Sequence, residues 1–253
     1  MINYSSNENL YDSRYDKSAP DHEISSLMIS AMPRVPAMAW WQDIRPENSL
    51  LRGRTYRRAK RFMDLLLIGS ALPLLLPLLL LCALLIALES PGAPVIFKQK
   101  RTGKGGKPFL MYKFRTMVPN AEDLKKELAH LNELQWPDFK ITNDPRITRI
   151  GRLLRKTSLD ELPQLINVWR GEMTLVGPRP TSFTPTTYEL WQTERLDVRP
   201  GITGLWQILG RGSMEFDERV RLDVAYIERR CLWLDIQILL RTFTAVLGQR
   251  GAH

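Results

Sequence analysis

The sequence predicts an α+β chain, predominantly helical, with one membrane-inserted helix followed by a basic body. Three observations carry that expectation. Leu65 to Leu88 runs 24 residues without a charge, two short apolar runs flank a Gly- and Lys-rich turn, and helical apolar spacing fills much of the second half. At 253 residues the chain suffices for one sizeable domain with its own core.

Charge is unevenly spread. The net value is +9, but residues 1–51 hold seven acids against four Lys/Arg, so residues 52–253 carry +12. A basic body suits anionic partners: nucleic acid, phosphorylated small molecules or an anionic membrane surface. Cys82 and Cys231 are too few for a disulfide framework, which fits a reducing compartment. No secretory signal is expected, because the first long apolar run begins only near residue 65.

Residues 1–51 are rich in Ser, Asn, Asp, Tyr and Pro without a helical or alternating period, and read as a disordered or variable extension. The pair Trp40-Trp41 is their candidate surface contact. Residues 52–90 form the second unit. Arg52, Arg54, Arg57, Arg58, Lys60 and Arg61 precede the apolar run, and Lys98, Lys100, Arg101, Lys104 and Lys107 follow it. A straight helix over 65–88 would measure roughly 36 Å, enough to cross a hydrocarbon core of about 30 Å. Pro73 and Pro77 argue against simple crossing, since each removes an amide donor and crowds the preceding turn. Positive flanks favour the cytoplasmic side, and here both flanks ask for it. A break near Pro77 would leave two arms of about 17 Å that dip in and return to one face. A proline-kinked spanning helix is the alternative.

Residues 91–253 read as the third unit. Val95–Phe97 and Phe109–Tyr112 predict strands joined by "RTGKGGK", which is a strong hairpin turn and a weak phosphate loop. Residues 120–135 predict an amphipathic, solvent-facing helix. "DPRITRIGRLLRK" then sets Arg146, Arg149, Arg152, Arg155 and Lys156 at near-helical spacing around Ile147, Ile150, Leu153 and Leu154. Such a helix can lie on an anionic membrane, hold phosphates or simply be solvated. Residues 215–247 predict two further helices, the second apolar enough to pack in a core or against lipid.

"TSLDELPQL" places Asp160 beside Glu161 just after these arginines. Ser158-Leu-Asp-Glu161 spells a capping box, so the acids could merely start a helix. Adjacent helical residues point about 100° apart, which ill suits the opposed carboxylates of a glycosidase. At a helix N-terminus Asp160 would be ionised, suited either to bind Mg²⁺ or to attack phosphorus. Downstream, Pro178 and Pro180 stiffen the backbone around Arg179, as recognition of phosphate oxygens requires. Arg199 and Arg211 lie in a second Gly/Pro-rich segment near Trp206. A nucleic-acid partner is not expected, because the arginines surround an acidic pair that would repel a phosphodiester backbone.

"KRFMDLLL", "PVIFKQKRTGKGGKPFLMYKFRTM", "RIGRLLRKTSLDELPQLINVWRGEMTLVGPRP" and "RPGITGLWQILGR" occur in that order between Lys60 and Leu247. Together they closely resemble the bacterial sugar transferase family, the monotopic phosphoglycosyl transferases that initiate exopolysaccharide and O-antigen-type glycan assembly. The resemblance implies transfer of a sugar-1-phosphate from a UDP-sugar to undecaprenyl phosphate, with release of UMP. It implies Asp160 as nucleophile, a covalent phosphosugar intermediate, Glu161 as its orienting neighbour and Mg²⁺ held at Asp160. It also implies Arg155 and Arg179 on phosphate oxygens, with Lys113 and Arg115 of "YKFRTM" near the site. "GLWQ" followed by "GR" looks like members that use UDP-glucose or UDP-galactose. The expected location is the cytoplasmic face of the bacterial inner membrane, among its lipids, and a homo-oligomer is allowed without being demanded. One departure stands out: the family often breaks its membrane helix at a Ser-Pro pair, whereas here Leu76 precedes Pro77 and Pro73 is added.

Overall fold

Leucine and alanine hold a helix well, and a run of them in an apolar setting leaves the backbone no partner but itself. In a computed structural model, which describes residues 39–45, 47, 49–133, 141–209 and 214–247, this run lies within one long helix, α1, Gly53–Glu89. It ends at Ser90, where Pro91 cannot continue the ladder and Gly92 takes a left-handed φ of 81°. The helix runs continuously through Pro73 and Pro77, the positions where the sequence places its break. Each ring removes a single amide donor, and the leucine-rich turns around them keep the rest of the ladder.

Both ends of α1 dock on the same body. Near its start, Tyr56 donates to Asp235 at 2.8 Å and Lys60 pairs with the same carboxylate at 3.0 Å. Arg61 donates to the carbonyls of Val168 and Trp169, and Thr174 donates to Asp64 at 2.5 Å. Ile68 joins a core of Met111, Val168 and Met173. Near the other end, Cys82 and Ile86 pack with Phe114 and Leu154, and Glu89 accepts from the Ile150 amide at 3.1 Å. Each such apolar side chain contributes roughly 1.5–3 kcal/mol on burial. The middle is bare, with Leu72, Pro73, Leu74, Leu76, Pro77 and Leu80 all exposed.

The expected hairpin forms, and its strands are longer than predicted. Strand β1 (Ile96–Thr102) pairs antiparallel with β2 (Pro108–Phe114), in a register that sets Phe97 opposite Lys113 and Arg101 opposite Phe109. Gly105 and Gly106 take φ of 63° and 74° in the turn, which an L side chain resists. Helix α2 (Ala121–Glu127) and a 3₁₀ turn at Leu128–Leu131 occupy most of the predicted 120–135 helix, whose last residues, 134 and 135, lie outside the described set.

The basic helix is α3, Arg149–Lys156, capped by Thr148 accepting from the Gly151 amide at 3.0 Å. Arg146 does not share its exposed stripe, because Asp144 takes its guanidinium in a buried pair at 2.6 Å. Helix α4 (Gln164–Arg170) follows. Two three-residue strands, β3 (Thr174–Val176) and β4 (Gly201–Thr203), then pair in parallel. A short helix α5 (Leu205–Leu209) leads to α6 (Phe216–Arg229) and α7 (Leu232–Leu247), the two helices expected there. Trp41 is buried under Arg229, and Arg241 sits 3.8 Å from the Trp40 ring, so the tryptophan pair docks on α6 and α7. Leu153 on α3, Trp169 on α4, and Trp233, Leu240 and Phe243 on α7 remain exposed.

Candidate active site

The acidic pair does not cap a helix in the manner of a capping box. Leu159–Glu161 is a 3₁₀ turn, α4 starts only at Gln164, and Ser158 makes no side-chain cap. Ser158 instead adopts φ 58°, a left-handed conformation uncommon for serine. That residue swings the chain out of α3 and turns Asp160 and Glu161 toward the β1–β2 hairpin.

The two acids then meet different fates. Glu161 accepts from Lys113 of β2 at 3.0 Å and from Arg179 at 2.5 Å. Burial would raise its pKa, but the Arg179 and Lys113 charges and their hydrogen bonds prevail and hold it well below the usual carboxylate range. Asp160 makes no side-chain hydrogen bond among the described residues, although it is only 9% exposed. Burial pushes its carboxyl up, the Glu161 charge adds to this, and Lys113, Arg155 and Arg179 oppose it. Asp160 lies in the first turn of a 3₁₀ helix, near where the sequence places a helix start, and burial makes its ionised form depend on the neighbouring cations as well.

Arg179 is held as rigidly as its two prolines suggest. The Pro178 carbonyl accepts from the Gly201 amide at 2.8 Å, and the Arg179 carbonyl accepts from Arg195 at 2.8 Å. Arg195 in turn pairs with Asp223 of α6 at 2.7 Å, both side chains being buried. Arg155 reaches in from the last turn of α3, anchored by Nε on the Thr116 hydroxyl at 2.9 Å. Gly151 permits that approach, since a Cβ there would lie 2.1 Å from the Thr116 carbonyl oxygen.

Other predicted residues lie elsewhere. Arg115 donates to the Pro94 carbonyl at 2.6 Å, tying the chain after α1 to the end of β2. Arg199 is exposed near Gly171 and Arg61, at the end of α4. Arg211 lies outside the described residues. Pro73 and Pro77 are exposed on the bare middle of α1. Sequence reasoning missed Arg101 of β1 and the Arg195–Asp223 pair. Strand alternation could have pointed to Arg101, since it falls on the same hairpin face as Lys113.

No group of three or more His, Cys, Asp or Glu side chains suited to a metal occurs among the described residues. With Glu161 engaged by two cations, Asp160 is the carboxylate left for a divalent ion. One carboxylate is a fit for Mg²⁺ in company with substrate phosphate oxygens.

A long apolar helix clamped to a basic body, with a cation-rimmed acidic pair beside it, defines a membrane-associated phosphate-handling class of protein. The bacterial sugar transferase family model matches residues 55–249, and the chain belongs to that family. It is 46% identical over 196 residues to the galactosyl transferase CpsE of Streptococcus agalactiae, covering 77% of this chain and 43% of that protein. It is 42% identical over 221 residues to the UDP-glucose:undecaprenyl-phosphate glucose-1-phosphate transferase of Caulobacter vibrioides, covering 83% and 77%. It is 40% identical over 202 residues to the exopolysaccharide production protein ExoY of Rhizobium meliloti, covering 77% and 88%. The chain thus spans less than half the length of the streptococcal relative and most of the other two.

Proposed function

We propose that this protein transfers a hexose-1-phosphate from UDP-galactose or UDP-glucose to undecaprenyl phosphate, releasing UMP, as a first membrane step in exopolysaccharide assembly. The observation that carries the reading is the asymmetry of the acidic pair: Glu161 is saturated by Lys113 and Arg179, while Asp160 keeps its carboxylate oxygens unbonded among cations. The named substrates of the Caulobacter relative agree with it.

In the first step an Asp160 oxygen attacks the sugar-linked phosphorus. The bond from that phosphorus to the bridging oxygen breaks, its electron pair leaves on UMP, and an acyl-phosphate to Asp160 forms. In the second step an oxygen of the lipid phosphate attacks the same phosphorus, and Asp160 departs as a carboxylate. Attack of one anion on another requires neutralised charge, so Arg155 and Arg179 hold phosphate oxygens and Lys113 fixes Glu161 in place. Mg²⁺ held by Asp160 with the diphosphate would add charge neutralisation.

The membrane placement follows from α1. Its two ends dock on one body and its flanks are basic, which supports a helix that dips into the cytoplasmic leaflet and returns. The exposed Trp169, Trp233, Leu240 and Phe243 suit headgroup depth. A polyprenyl chain leaves the bilayer at a cost of about 0.8 kcal/mol per CH₂, so the site has to sit at the lipid boundary.

The test is to mix purified protein with UDP-galactose or UDP-glucose alone, quench rapidly and weigh its peptides. A hexose-phosphate increment on the peptide bearing Asp160, with stoichiometric UMP, is expected, and both vanish in Asp160→Asn. Turnover at the normal rate in Asp160→Asn would overturn the mechanism.

A further inference from the structure

Strand β1 carries three cations, and alternation separates them. Lys98 and Lys100 point out and are exposed, whereas Arg101 is half-buried. Residues directly opposite in the ladder share a face, so Arg101 lies with Gln99, Met111 and Lys113 on the side of the hairpin that packs on Val168 and Met173. Along that face Arg101 stands four residues beyond the partner of Lys113, roughly 13 Å away at the backbone. Long side chains from both positions can converge on one anion.

The neighbourhood of Arg101 is fixed. The next amide, that of Thr102, donates to the Thr181 carbonyl at 2.9 Å, which binds β1 to the loop carrying Arg179. Arg101 Nε and Nη2 both donate to Gln99 Oε1, at 3.1 and 2.7 Å, and Gln99 is neutral. A half-buried guanidinium without a carboxylate partner is costly unless an anion completes it. The same tension shows in its acidity: burial and the Arg179 charge push Arg101 down to about 10, with only Glu161 and Tyr188 opposing.

The local charge does not balance. Lys113, Arg155, Arg179 and Arg101 face Asp160 and Glu161, an excess of two positive charges with both acids ionised. A diphosphate diester carries two negative charges at neutral pH. The charge of Arg101 is felt with those of Glu161 and Arg179, beside the loop that the Thr102 amide holds, whereas Arg155 acts on Asp160. Lys113 and Arg179 serve both acids, while Arg101 stands on the Glu161 side and Arg155 on the Asp160 side.

We propose that Arg101 binds the phosphate that Asp160 does not attack, the one that departs as UMP, while Arg155 serves the phosphate bonded to the sugar. This rests on the proposed transferase reading and refines it. Arg101 would stabilise charge developing on the leaving oxygen, on the side of the attacked phosphorus away from Asp160.

The experiment is calorimetric titration of the full chain in detergent with UMP, alongside donor and acceptor kinetics. Arg101→Gln should weaken UMP binding roughly 10- to 100-fold and raise the KM for UDP-sugar, leaving the KM for undecaprenyl phosphate unchanged. Arg101→Lys should recover part of the affinity, and Lys100→Gln, on the outward face, should bind UMP as the parent does. Equal UMP affinity in Arg101→Gln, Arg101→Lys and the parent would overturn the role of Arg101 alone. A change confined to the acceptor KM would overturn it in favour of a lipid-phosphate contact. A parent that binds no UMP would overturn the transferase reading together with this one.

Discussion

Arg195 Nη2 lies 2.7 Å from Asp223 Oδ2 and 2.8 Å from the carbonyl oxygen of Arg179, so one buried guanidinium joins α6 to the loop that presents a site cation. Burial raises the Asp223 carboxyl to about 7, against the opposing charges of Arg195 and Arg219. A carboxyl raised on folding favours the folded state while protonated. Its contribution is therefore present below the ordinary carboxylate pKa and is lost as pH rises through about 7. Asp223→Asn should flatten the fall of the unfolding midpoint between about pH 4 and pH 7. An unaltered pH slope in thermal denaturation would remove Asp223 as its source.

Glu161 carries the opposite sign. Arg179 and Lys113 depress its pKa, so its stabilisation is present above the ordinary carboxylate value and is lost as pH falls below it. In Glu161→Gln both cations lose their anionic partner and drift from the phosphate positions. A misplacement of about 1 Å costs roughly 100-fold in rate, and a fall in kcat of that order is expected in UMP release assays. Wild-type kcat would mean that Glu161 does not position the site.

Gly201→Ala should damage the fold as well as the site. A Cβ there would stand 2.1 Å from the Gly177 amide nitrogen and 2.6 Å from the Thr203 carbonyl oxygen, both backbone atoms. The β3–β4 pair would part and release the Pro178–Arg179 turn. Low yield and a lowered unfolding midpoint are expected, and a variant that melts like the parent would contradict the close approach.

Asp235 is fully buried and gathers Tyr56 and Lys60 from α1 and Tyr226 from α6. Removing its charge deprives the half-buried Lys60 of its ion-pair partner and unbalances the buried hydrogen bonds of both tyrosines, a loss on the order of 3–5 kcal/mol. Asp235→Asn should therefore lower the melting midpoint by about 10 °C or more. Circular dichroism in detergent reads this directly.

The topology has its own test. Cys82 and Cys231 are buried, so single cysteines introduced near Arg58 and Lys100 report on themselves. In sealed vesicles both should react with an impermeant thiol reagent from the same side. Labelling from opposite sides would make α1 a spanning helix.

The hairpin is legible in the sequence because Gly105 and Gly106 sit where only glycine is comfortable, between residues that alternate in burial. The helices α3, α6 and α7 are legible from spacing alone. The β3–β4 pair is not, since three residues are too few to display a period and a parallel partner 27 positions away leaves no local trace. Asp160 is legible by its company, but its dependence on cations is not, because burial is a property of the assembled body.

Because both ends of α1 are fastened to one rigid body, the proposed helix has no far side to match against a bilayer of given width. A spanning segment tilts or thins its surroundings when the membrane is too thick or too thin. Here the depth of insertion would be set from one leaflet alone. Catalysis should then vary little across vesicles of short and long acyl chains, so the protein would work alike in membranes whose thickness shifts with growth temperature.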